Sequence, residues 1–381
     1  MCLVTMRSPA QPAPRPTALD LFCGVGGLSL GLTQAGFHLL GGVDSDAETL
    51  ETHKANFPHV LTHECNLFKT PGANIRAALG LGNTGIDLLA GGPPCQGFST
   101  GGARTPNDPR NRGIMAFARL VVQLEPRYFL MENVRGFMYQ NHHALHSRFR
   151  RRLQDAGYTV IPFQVLNAAD YGVPQRRERV FVLGCRVGES LPEYPAPAAD
   201  PGPTVMDAIA DLQAIDERAQ NVDCDTYRGP LGKKSAYAKQ MRRTLGRRPL
   251  RVLSGCLRTT HSLEVIERFN ATPQGGQESV SHYFRLSWQG ISPTIRAGTG
   301  PDHGSHTAPR PIHPELPRCI TVREAARLHS FPDWFVFRGT RWHGFRQIGN
   351  SVPPLLGEAV ARQVAAALAR GEQMIATENS G

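Results

Sequence analysis

The sequence predicts an α/β fold in which a large domain with a parallel sheet precedes a smaller, less regular domain. Short apolar segments alternate with helical segments between residues 17 and 185, and this alternation is typical of a parallel sheet with helices on both faces. Five prolines fall between residues 191 and 203, which is the composition of a linker. Residues 204–300 then lack clear periodicity and are rich in turns.

The individual elements follow from runs of apolar residues and from helical spacing. The predicted strands of the large domain are 18–22, 39–43, 86–90, 128–131 and 180–183. The predicted helices between them are 28–35, 47–56, 113–124 and 143–156. Regular patterns resume near the end of the chain, where the predicted helices are 322–330 and 353–368.

Composition narrows the classes of protein to which the chain can belong. The 381 residues carry a formal net charge of +10, which favours a polyanionic partner such as nucleic acid. The eight cysteines include no Cys-x-x-Cys pair, which argues against a zinc site and a disulfide framework. No apolar run approaches the ~20 residues that span a bilayer, and residues 1–16 lack the apolar stretch of a signal peptide. We therefore expect a cytoplasmic protein without a bound metal, with a disordered leader at 1–16.

A strongly basic segment lies in the second domain. Residues 233–251 carry eight basic side chains and no acidic one. A solvated helix face has a similar composition, but the absence of acidic residues favours a surface that contacts phosphates. Lys233, Lys234, Arg242 and Arg243 are therefore candidate contacts to nucleic acid.

A glycine-rich turn joins the first predicted strand to the first predicted helix. Gly24, Gly26 and Gly27 permit a tight turn and close approach of a ligand to the backbone. The second predicted strand ends at Asp44, the place where a carboxylate binds ribose hydroxyls in nucleotide-binding folds. Ser29 replaces a further glycine of the pyrophosphate pattern, and no phosphate-binding lysine is present. A tight turn without a ligand is the simplest alternative. Among nucleosides without a pyrophosphate, S-adenosylmethionine is the best candidate.

Cys95 stands directly after an apolar strand and a Gly-Gly-Pro-Pro break. Ligands bind at the carboxyl ends of strands in open α/β sheets, and the two prolines fix the backbone before the thiol. Most free cysteines are small buried apolar residues. Here the neighbours are proline, glutamine and glycine rather than an apolar face, which favours a nucleophile.

An acid and two arginines are predicted at the same sheet edge. Glu132 follows the strand 128–131, and Arg177 and Arg179 precede the strand 180–183 with a spacing that points both to one side. A helix-start residue and a solvated basic turn are the alternatives. A nucleoside cofactor, a thiol, an acid and an arginine together favour methylation of a weakly nucleophilic carbon, such as C5 of cytosine. Thiolate attack at C6 activates C5, and an acid at N3 stabilises the resulting charge.

Six sequence blocks, taken in order, resemble the motifs of the DNA cytosine-5 methyltransferase family. They are DLFCGVGG (20–27), GGPPCQGFS (91–99), ENV (132–134), QRRER (175–179), TVREAARLHSFP (321–332) and RQIGNSVPP (346–354). The resemblance implies a Rossmann-like large domain that binds S-adenosylmethionine (17–185), a target-recognition domain (186–318) and a C-terminal segment that returns to the large domain (319–376). It also implies that the target cytosine is flipped out of duplex DNA.

The resemblance assigns roles to residues by their places in these motifs. Cys95 is the nucleophile that adds to C6, Glu132 binds N3 and the exocyclic amine, and Arg179 orients the base, with Arg177 as a second candidate. The residues expected to contact the cofactor are Phe22, Gly24, Gly26, Gly27, Asp44, Asn66, Leu67, Pro94, Asn350 and Ser351. The residues expected to contact DNA, besides the basic segment, are Gln96, Ser99 and Arg110 of a mobile loop (96–112) and Thr294.

Two residues depart from the pattern of this family. Asn66 stands where the family commonly has an aspartate for the adenine amino group, and its amide oxygen can accept the same hydrogen bond without the charge. Ser45 stands where a larger apolar residue often packs on the adenine. We expect both differences to weaken cofactor affinity and to leave the reacting atoms unaffected.

We therefore predict a DNA cytosine-5 methyltransferase, the modification enzyme of a bacterial restriction system, which acts on duplex DNA as a monomer. A cognate restriction endonuclease would be a functional rather than a physical partner. One alternative is a tRNA cytosine-5 methyltransferase of the same fold. Another is a non-catalytic DNA-binding protein that retains the fold, and the presence of both Cys95 and Glu132 argues against it.

Overall fold

The large domain is organised by a central sheet. A computed structural model of the chain describes residues 15–94, 112–139, 142–218, 225–243, 252–298 and 310–378. Within these residues the sheet contains β1 (Thr17–Leu21), β2 (His38–Asp44), β3 (Thr62–Glu64), β4 (Leu88–Gly91), β5 (Tyr128–Val134), β6 (Tyr158–Val160), β7 (Gln164–Asn167) and β8 (Glu178–Arg186). The five predicted strands are all present, and β3, β6 and β7 were not predicted.

The strand order is β3-β2-β1-β4-β5-β8-β6, and β7 also pairs with β8. Strands β1 to β5 are mutually parallel, as predicted, but β8 is antiparallel to β5, β6 and β7. The prediction of an all-parallel sheet was therefore wrong for the segment around 180–183. Its physical cause is the connection 168–177, which turns from β7 directly into β8 without a helix that crosses the sheet, and such a connection reverses the strand direction.

The helices of the large domain cover both faces of the sheet. They are α1 (Gly27–Gln34), α2 (Ala47–Asn56), α3 (Gly72–Ala78), α4 (Arg112–Leu124) and α5 (His143–Asp155), with α10 (Val322–Leu328), α11 (Arg341–Asn350) and α12 (Pro354–Glu378) near the end of the chain. Asp46 caps α2 by accepting a hydrogen bond from the Thr49 N–H at 3.1 Å, as expected for a residue that precedes a helix. No helix in the described part of the chain has the length and apolar character needed to cross a membrane.

Successive residues of each strand face opposite cores, because side chains alternate along a strand. Leu88 and Leu130 belong to the core that contains α1 and α12. Leu89 and Phe129 belong to the core that contains α4 and α5. Close contact between α1 and α12 depends on Gly31, where a Cβ would lie 2.6 Å from the backbone nitrogen of Glu358.

The segment after β8 forms short elements that continue the first of these cores. They are α6 (Val205–Ile209), α7 (Gln213–Arg218), β9 (Thr226–Tyr227), α8 (Ala236–Met241), β10 (Leu253–Ser254) and α9 (Leu263–Ala271). Ile209, Tyr237 and Leu253 are buried in the same cluster as α10 and α12, whereas Phe269 lies in a small separate cluster. The boundary predicted at 186 therefore does not coincide with a break in the hydrophobic core.

A buried group of charges fastens this segment to α10. The Arg327 side chain is fully buried, and its guanidinium lies 3.2 Å from Asp211 and 2.5 Å from Asp333. It also donates a hydrogen bond to the Ala208 carbonyl at 2.8 Å. A buried cation is tolerated only with partners of this kind, so Arg327 ties α6 and its following turn to α10.

Replacing Arg327 with Leu is expected to lower the free energy of unfolding by about 3–5 kcal/mol. The buried Asp211 would lose the cation with which it pairs, and Asp333 would keep only the more distant Arg242, at 3.5 Å. The control is Arg362→Leu, since Arg362 is 60% exposed in its pair with Glu358 and such pairs contribute less than about 1 kcal/mol. Urea denaturation followed by circular dichroism measures both. Equal small effects in the two variants would contradict the role given to Arg327.

Candidate active site

The glycine-rich turn after β1 has a conformation that side chains oppose. Gly24 and Gly26 have φ angles of 53° and 96°, in the left-handed region that favours glycine. A Cβ at Gly26 would lie 2.5 Å from the Phe57 ring, and one at Gly27 would lie 2.4 Å from the Val352 carbonyl oxygen. Phe22 also has a positive φ, 54°, which carries a strain of about 1–3 kcal/mol. Strain of this kind is concentrated at binding sites.

Asp44 holds this turn from the end of β2. Its Oδ2 accepts a hydrogen bond from the Gly24 N–H at 2.9 Å, and its Oδ1 accepts from Ser45 and Asp46 at 2.7 and 3.1 Å. Burial raises the pKa of Asp44, and these backbone hydrogen bonds oppose the rise. A carboxylate has about four lone-pair sites, so the Asp44 oxygens keep capacity to accept from a ligand hydroxyl.

The loop after β3 contains the predicted adenine contacts. Leu67 is buried, with 1% of its surface exposed, whereas Asn66 is exposed. The Asn66 side-chain oxygen accepts a hydrogen bond from the Phe68 N–H at 3.0 Å. That oxygen, which we predicted to accept the adenine amino group, is therefore shared with the turn of its own loop.

The two residues predicted to contact the methionine end of the cofactor lie between α11 and α12. Asn350 is exposed and Ser351 is buried. The Ser351 hydroxyl donates to the Gln347 carbonyl at 2.7 Å, and its carbonyl lies 3.1 Å from Nε2 of His329. The Ser351 side chain thus serves the end of α11, and the exposed amide of Asn350 is the more available group.

Glu132 and Arg179 form a nearly buried ion pair across β5 and β8. Arg179 Nε lies 2.9 Å from Glu132 Oε1, and the side chains are 12% and 11% exposed. Burial raises the pKa of Glu132, while Arg179 and Arg177 oppose the rise. Glu132 lies within β5 rather than after it, because β5 extends beyond its apolar part to pair with β8.

The same edge positions the backbone that leads to Cys95. Gly91 pairs with Met131, and a Cβ at Gly92 would lie 3.2 Å from Glu132 Oε2. The Asn133 side chain donates to the Pro93 carbonyl at 3.2 Å. Pro94 is the last described residue before the gap, so Glu132 lies beside the strand end that precedes the predicted nucleophile. Cys95, Gln96, Ser99 and Arg110 fall outside the described residues.

Arg177 has a different environment from the predicted one. It is 1% exposed, and its guanidinium donates to the carbonyls of Ile295, Gly349 and Ser351 at 3.0, 2.6 and 2.9 Å. Arg177 therefore positions backbone, and the ion pair that the described residues show with Glu132 is made by Arg179. A contact of Arg177 with the base stays a prediction.

The predicted DNA contacts of the second domain are mostly on the surface. Lys233, Lys234 and Arg243 are exposed, whereas Arg242 lies 3.5 Å from the buried Asp333 and so has a partner within the protein. The hydroxyl of Thr294 donates to the Arg176 carbonyl at 2.7 Å. Residues 244–251 of the basic segment lie outside the described residues.

A buried polar group beneath the glycine-rich turn escaped the sequence prediction. The Ser29 hydroxyl donates to Asp20 at 2.6 Å and lies 3.1 Å from Nε2 of His53, and all three side chains are fully buried. Burial raises the pKa of Asp20 to about 7 and lowers that of His53 to about 4. In the sequence, the one sign of this buried group is the aspartate at position 20 within an otherwise apolar strand. The sequence analysis treated Ser29 only as a residue that replaces a glycine.

Comparison with known proteins gives matches along nearly the whole chain. A family model described as C-5 cytosine-specific DNA methylase matches residues 17–366. The Type II methyltransferase M.XorII of Xanthomonas oryzae pv. oryzae is 45% identical over 93% of this chain and 85% of its own length. The Type II methyltransferase M.AgeI of Thalassovita gelatinovora is 32% identical over 92% of this chain and 99% of its own.

Solved structures agree with this result. The crystal structure described as a prophage-encoded DNA modification methyltransferase from E. coli has a TM-score of 0.79 and 33% identity, over 93% of this chain and 99% of that one. S. pombe Dnmt2 methyltransferase has a TM-score of 0.57 at 17% identity, which is a likeness of fold alone. The E. coli match confirms the predicted α/β class with its Rossmann-like sheet.

Replacing Asp20 with Asn is expected to change how stability depends on pH. The folded protein keeps Asp20 protonated up to about pH 7, whereas its ordinary pKa is 3.8. Stability from this group is therefore complete below the ordinary pKa and is lost as pH rises through the folded value. The stability of D20N relative to the wild type should therefore increase between about pH 4 and about pH 7 and level off above it.

Urea denaturation at several pH values in this range measures the difference. Asp155→Asn is the control, because Asp155 is exposed at the end of α5. A difference between D20N and the wild type that stays constant with pH would rule out the raised pKa of Asp20.

Proposed function

The chain belongs to the C-5 cytosine-specific DNA methylase family, and on that premise we propose how its active site works. It is a DNA cytosine-5 methyltransferase. We propose that the methyl group comes from S-adenosylmethionine, that the target cytosine is flipped out of a specific duplex sequence, and that Cys95 bonds transiently to C6. The observation that carries the proposal is the Glu132–Arg179 pair, held beside the backbone that precedes Cys95.

The ends of β1 and β2 suit S-adenosylmethionine. Among described atoms, a Cβ at Gly24 would meet only the Thr49 methyl carbon, at 3.9 Å, so the turn leaves room for a ligand close to its backbone. Asp44 would hold the ribose hydroxyls, Phe22 would contact the nucleoside, and Asn350 would contact the methionine end. The bound cofactor supplies an electrophilic methyl group on a sulfonium.

Glu132 is suited to the stabilisation of charge on the cytosine ring. Arg179 holds its Oε1, which leaves Oε2 for the base. Burial raises the pKa of Glu132 and so favours the protonated carboxyl group, which could donate a hydrogen bond from Oε2 toward N3. Thiolate addition increases electron density at N3, so this hydrogen bond strengthens as the reaction proceeds.

The proposed covalent route passes through an adduct between Cys95 and C6 of cytosine. The Cys95 thiol loses its proton to solvent, and the thiolate forms a bond to C6 while the C5–C6 double-bond pair moves to C5. The electron pair on C5 then bonds to the methyl carbon that the bound cofactor would supply. The bond between this carbon and sulfur breaks, and S-adenosylhomocysteine is the by-product. C5 then loses its proton to solvent, the freed pair restores the double bond, and the C6–S bond breaks to release the thiolate. Flipping the base costs a few kcal/mol, which binding to the duplex must offset.

The relatives support a place in a restriction system. Two of them are named Type II methyltransferases and match over more than nine-tenths of this chain. We infer that this chain protects a specific duplex sequence in the same way, as a cytoplasmic monomer, and that the exposed Lys233, Lys234 and Arg243 contact DNA phosphates. Bisulfite sequencing of DNA from cells that express the protein identifies the modified base and its context.

Transfer of a tritiated methyl group from S-adenosylmethionine tests the substrate class directly. We expect incorporation into duplex DNA and none into tRNA. Incorporation into tRNA alone would replace the proposed substrate, and incorporation into neither would overturn the proposed activity.

Replacing Cys95 with Ser is expected to abolish methyl transfer and to preserve DNA binding, because the hydroxyl cannot replace the thiolate as a nucleophile. Duplex DNA with 5-fluorocytosine at the target should trap the wild type as a covalent adduct, since no proton can leave C5. Peptide mapping locates the attached residue. Turnover by C95S comparable to the wild type, or an adduct on another cysteine, would refute the covalent role.

Replacing Glu132 with Gln is expected to lower kcat about 10²-fold, because an amide can donate a hydrogen bond but cannot transfer a proton. The control is Glu178→Gln, since Glu178 is 39% exposed and pairs with Arg135. Single-turnover methylation at saturating DNA and cofactor measures the chemical step. Equal rates in E132Q and E178Q would remove Glu132 from the mechanism.

A further inference from the structure

We propose that Phe68 forms the apolar wall on which the adenine base of the cofactor stacks. None of the six motifs contains this residue. The inference rests on the proposed function for the identity of the cofactor. It concerns a single side chain in the loop after β3.

Sheet order fixes the direction in which the nucleoside must lie. The strands run β3-β2-β1-β4, Asp44 ends β2, and Pro94 follows β4 on the far side of β1. A cofactor with its ribose at Asp44 must point its methyl-bearing end toward the β4 side, where the predicted nucleophile follows. Its base therefore lies on the opposite side, over the carboxyl end of β3.

The loop after β3 occupies that position. Asp44 pairs with Glu64 in the parallel register of β2 and β3, and the Cys65 N–H donates to the Asp44 carbonyl at 2.9 Å. The loop thus starts directly beside the residue that would hold the ribose. Phe68 follows within four residues of this contact.

The ring of Phe68 is only partly covered by the rest of the protein. It is 37% exposed, and its ring meets Phe22 edge-on, with centroids 6.2 Å apart and planes at 75°. Phe22 follows β1 directly and has a strained conformation with a φ of 54°. The two rings form an apolar corner, and a planar base can stack on one while it meets the edge of the other.

Hydrogen bonds within the protein hold the loop after β3. Arg119 donates to the carbonyls of Leu67 and Thr70 at 2.7 and 2.9 Å. Asn66 accepts the Phe68 N–H at 3.0 Å. A rigid turn positions the ring without an ordering cost on binding.

The residues that follow Asp44 supply no aromatic ring to this corner. Ser45 follows Asp44 and is exposed, and the residues up to Glu48 carry no ring. A hydroxymethyl group supplies little apolar surface for a base. Phe68 therefore provides the stacking surface that position 45 lacks.

Isothermal titration calorimetry with S-adenosylhomocysteine and with adenosine tests this inference. Stacking of a base on an aromatic ring is strong enough that Phe68→Ala should weaken both ligands about 10-fold or more. The loss should be equal for the two ligands, because adenosine carries the base and ribose alone. Phe68→Trp should retain wild-type affinity, and the KM for the cofactor should rise in F68A with kcat unchanged.

Leu61→Ala is the matched control, because Leu61 is a 58% exposed apolar residue just before the opposite end of β3. It should leave both affinities unchanged. The double variant S45W/F68A should recover part of the lost affinity, which a general loosening of the fold would not allow.

Wild-type affinity in F68A, or equal losses in F68A and L61A, would overturn the role of Phe68 while the proposed function stands. Failure of the wild type to bind either ligand would overturn the cofactor assignment itself, and the role of Phe68 with it.

Discussion

The buried guanidinium of Arg177 is the constraint on which the geometry of the site depends. Its three hydrogen bonds join β8 to the backbone at Ile295 and to the corner between α11 and α12 at Gly349 and Ser351. These segments are far apart in sequence, and none of them holds its position through regular secondary structure alone. One cation thus brings together the start of β8, the backbone at Ile295 and the corner between α11 and α12.

The same corner reaches the glycine-rich turn. The carbonyl of Val352 approaches the first residue of α1 so closely that a Cβ on Gly27 would lie 2.4 Å away. Because Arg177 fixes the neighbouring Ser351 carbonyl, it also sets how tightly this corner closes over α1. In the proposed reaction, Arg177 would therefore help to position both ends of the cofactor and the target base.

Charge in this region serves chemistry more than stability. Burial lowers the pKa of Arg177 well below its ordinary value, the positive charge of Arg179 lowers it further, and Glu132 opposes both effects. Buried ion pairs are weak evidence for stability, since desolvation offsets their attraction. In the proposed reaction, the positive charge of Arg179 beside Glu132 would favour the electron density that thiolate attack places on a cytosine ring.

Local sequence patterns predicted where strands and helices lie along the chain. They predicted less well how the strands pair and which side chains meet. Apolar runs identified β1, β2, β4, β5 and β8 because each is buried on both faces. Hydrophobicity carries no direction, so the reversed β8 was not predicted. The backbone partners of Arg177 lie more than 100 residues away in sequence, so local patterns could not predict them. Asp20 and Ser29 come into contact only when α1 folds against β1, so their hydrogen bond could not be predicted from the sequence. The role of Cys95 stays a prediction.

The segment after β8 shares its hydrophobic core with α10 and α12, and this limits which of its residues can change. Tyr237 and Met241 of α8 are buried in the cluster that includes α10 and α12, while Lys233, Lys234 and Arg243 around them are exposed. Truncating a buried anchor opens a cavity and costs a few kcal/mol, whereas exposed side chains can change at little cost. New DNA contacts can therefore arise between the anchors without loosening the segment from the site that it serves.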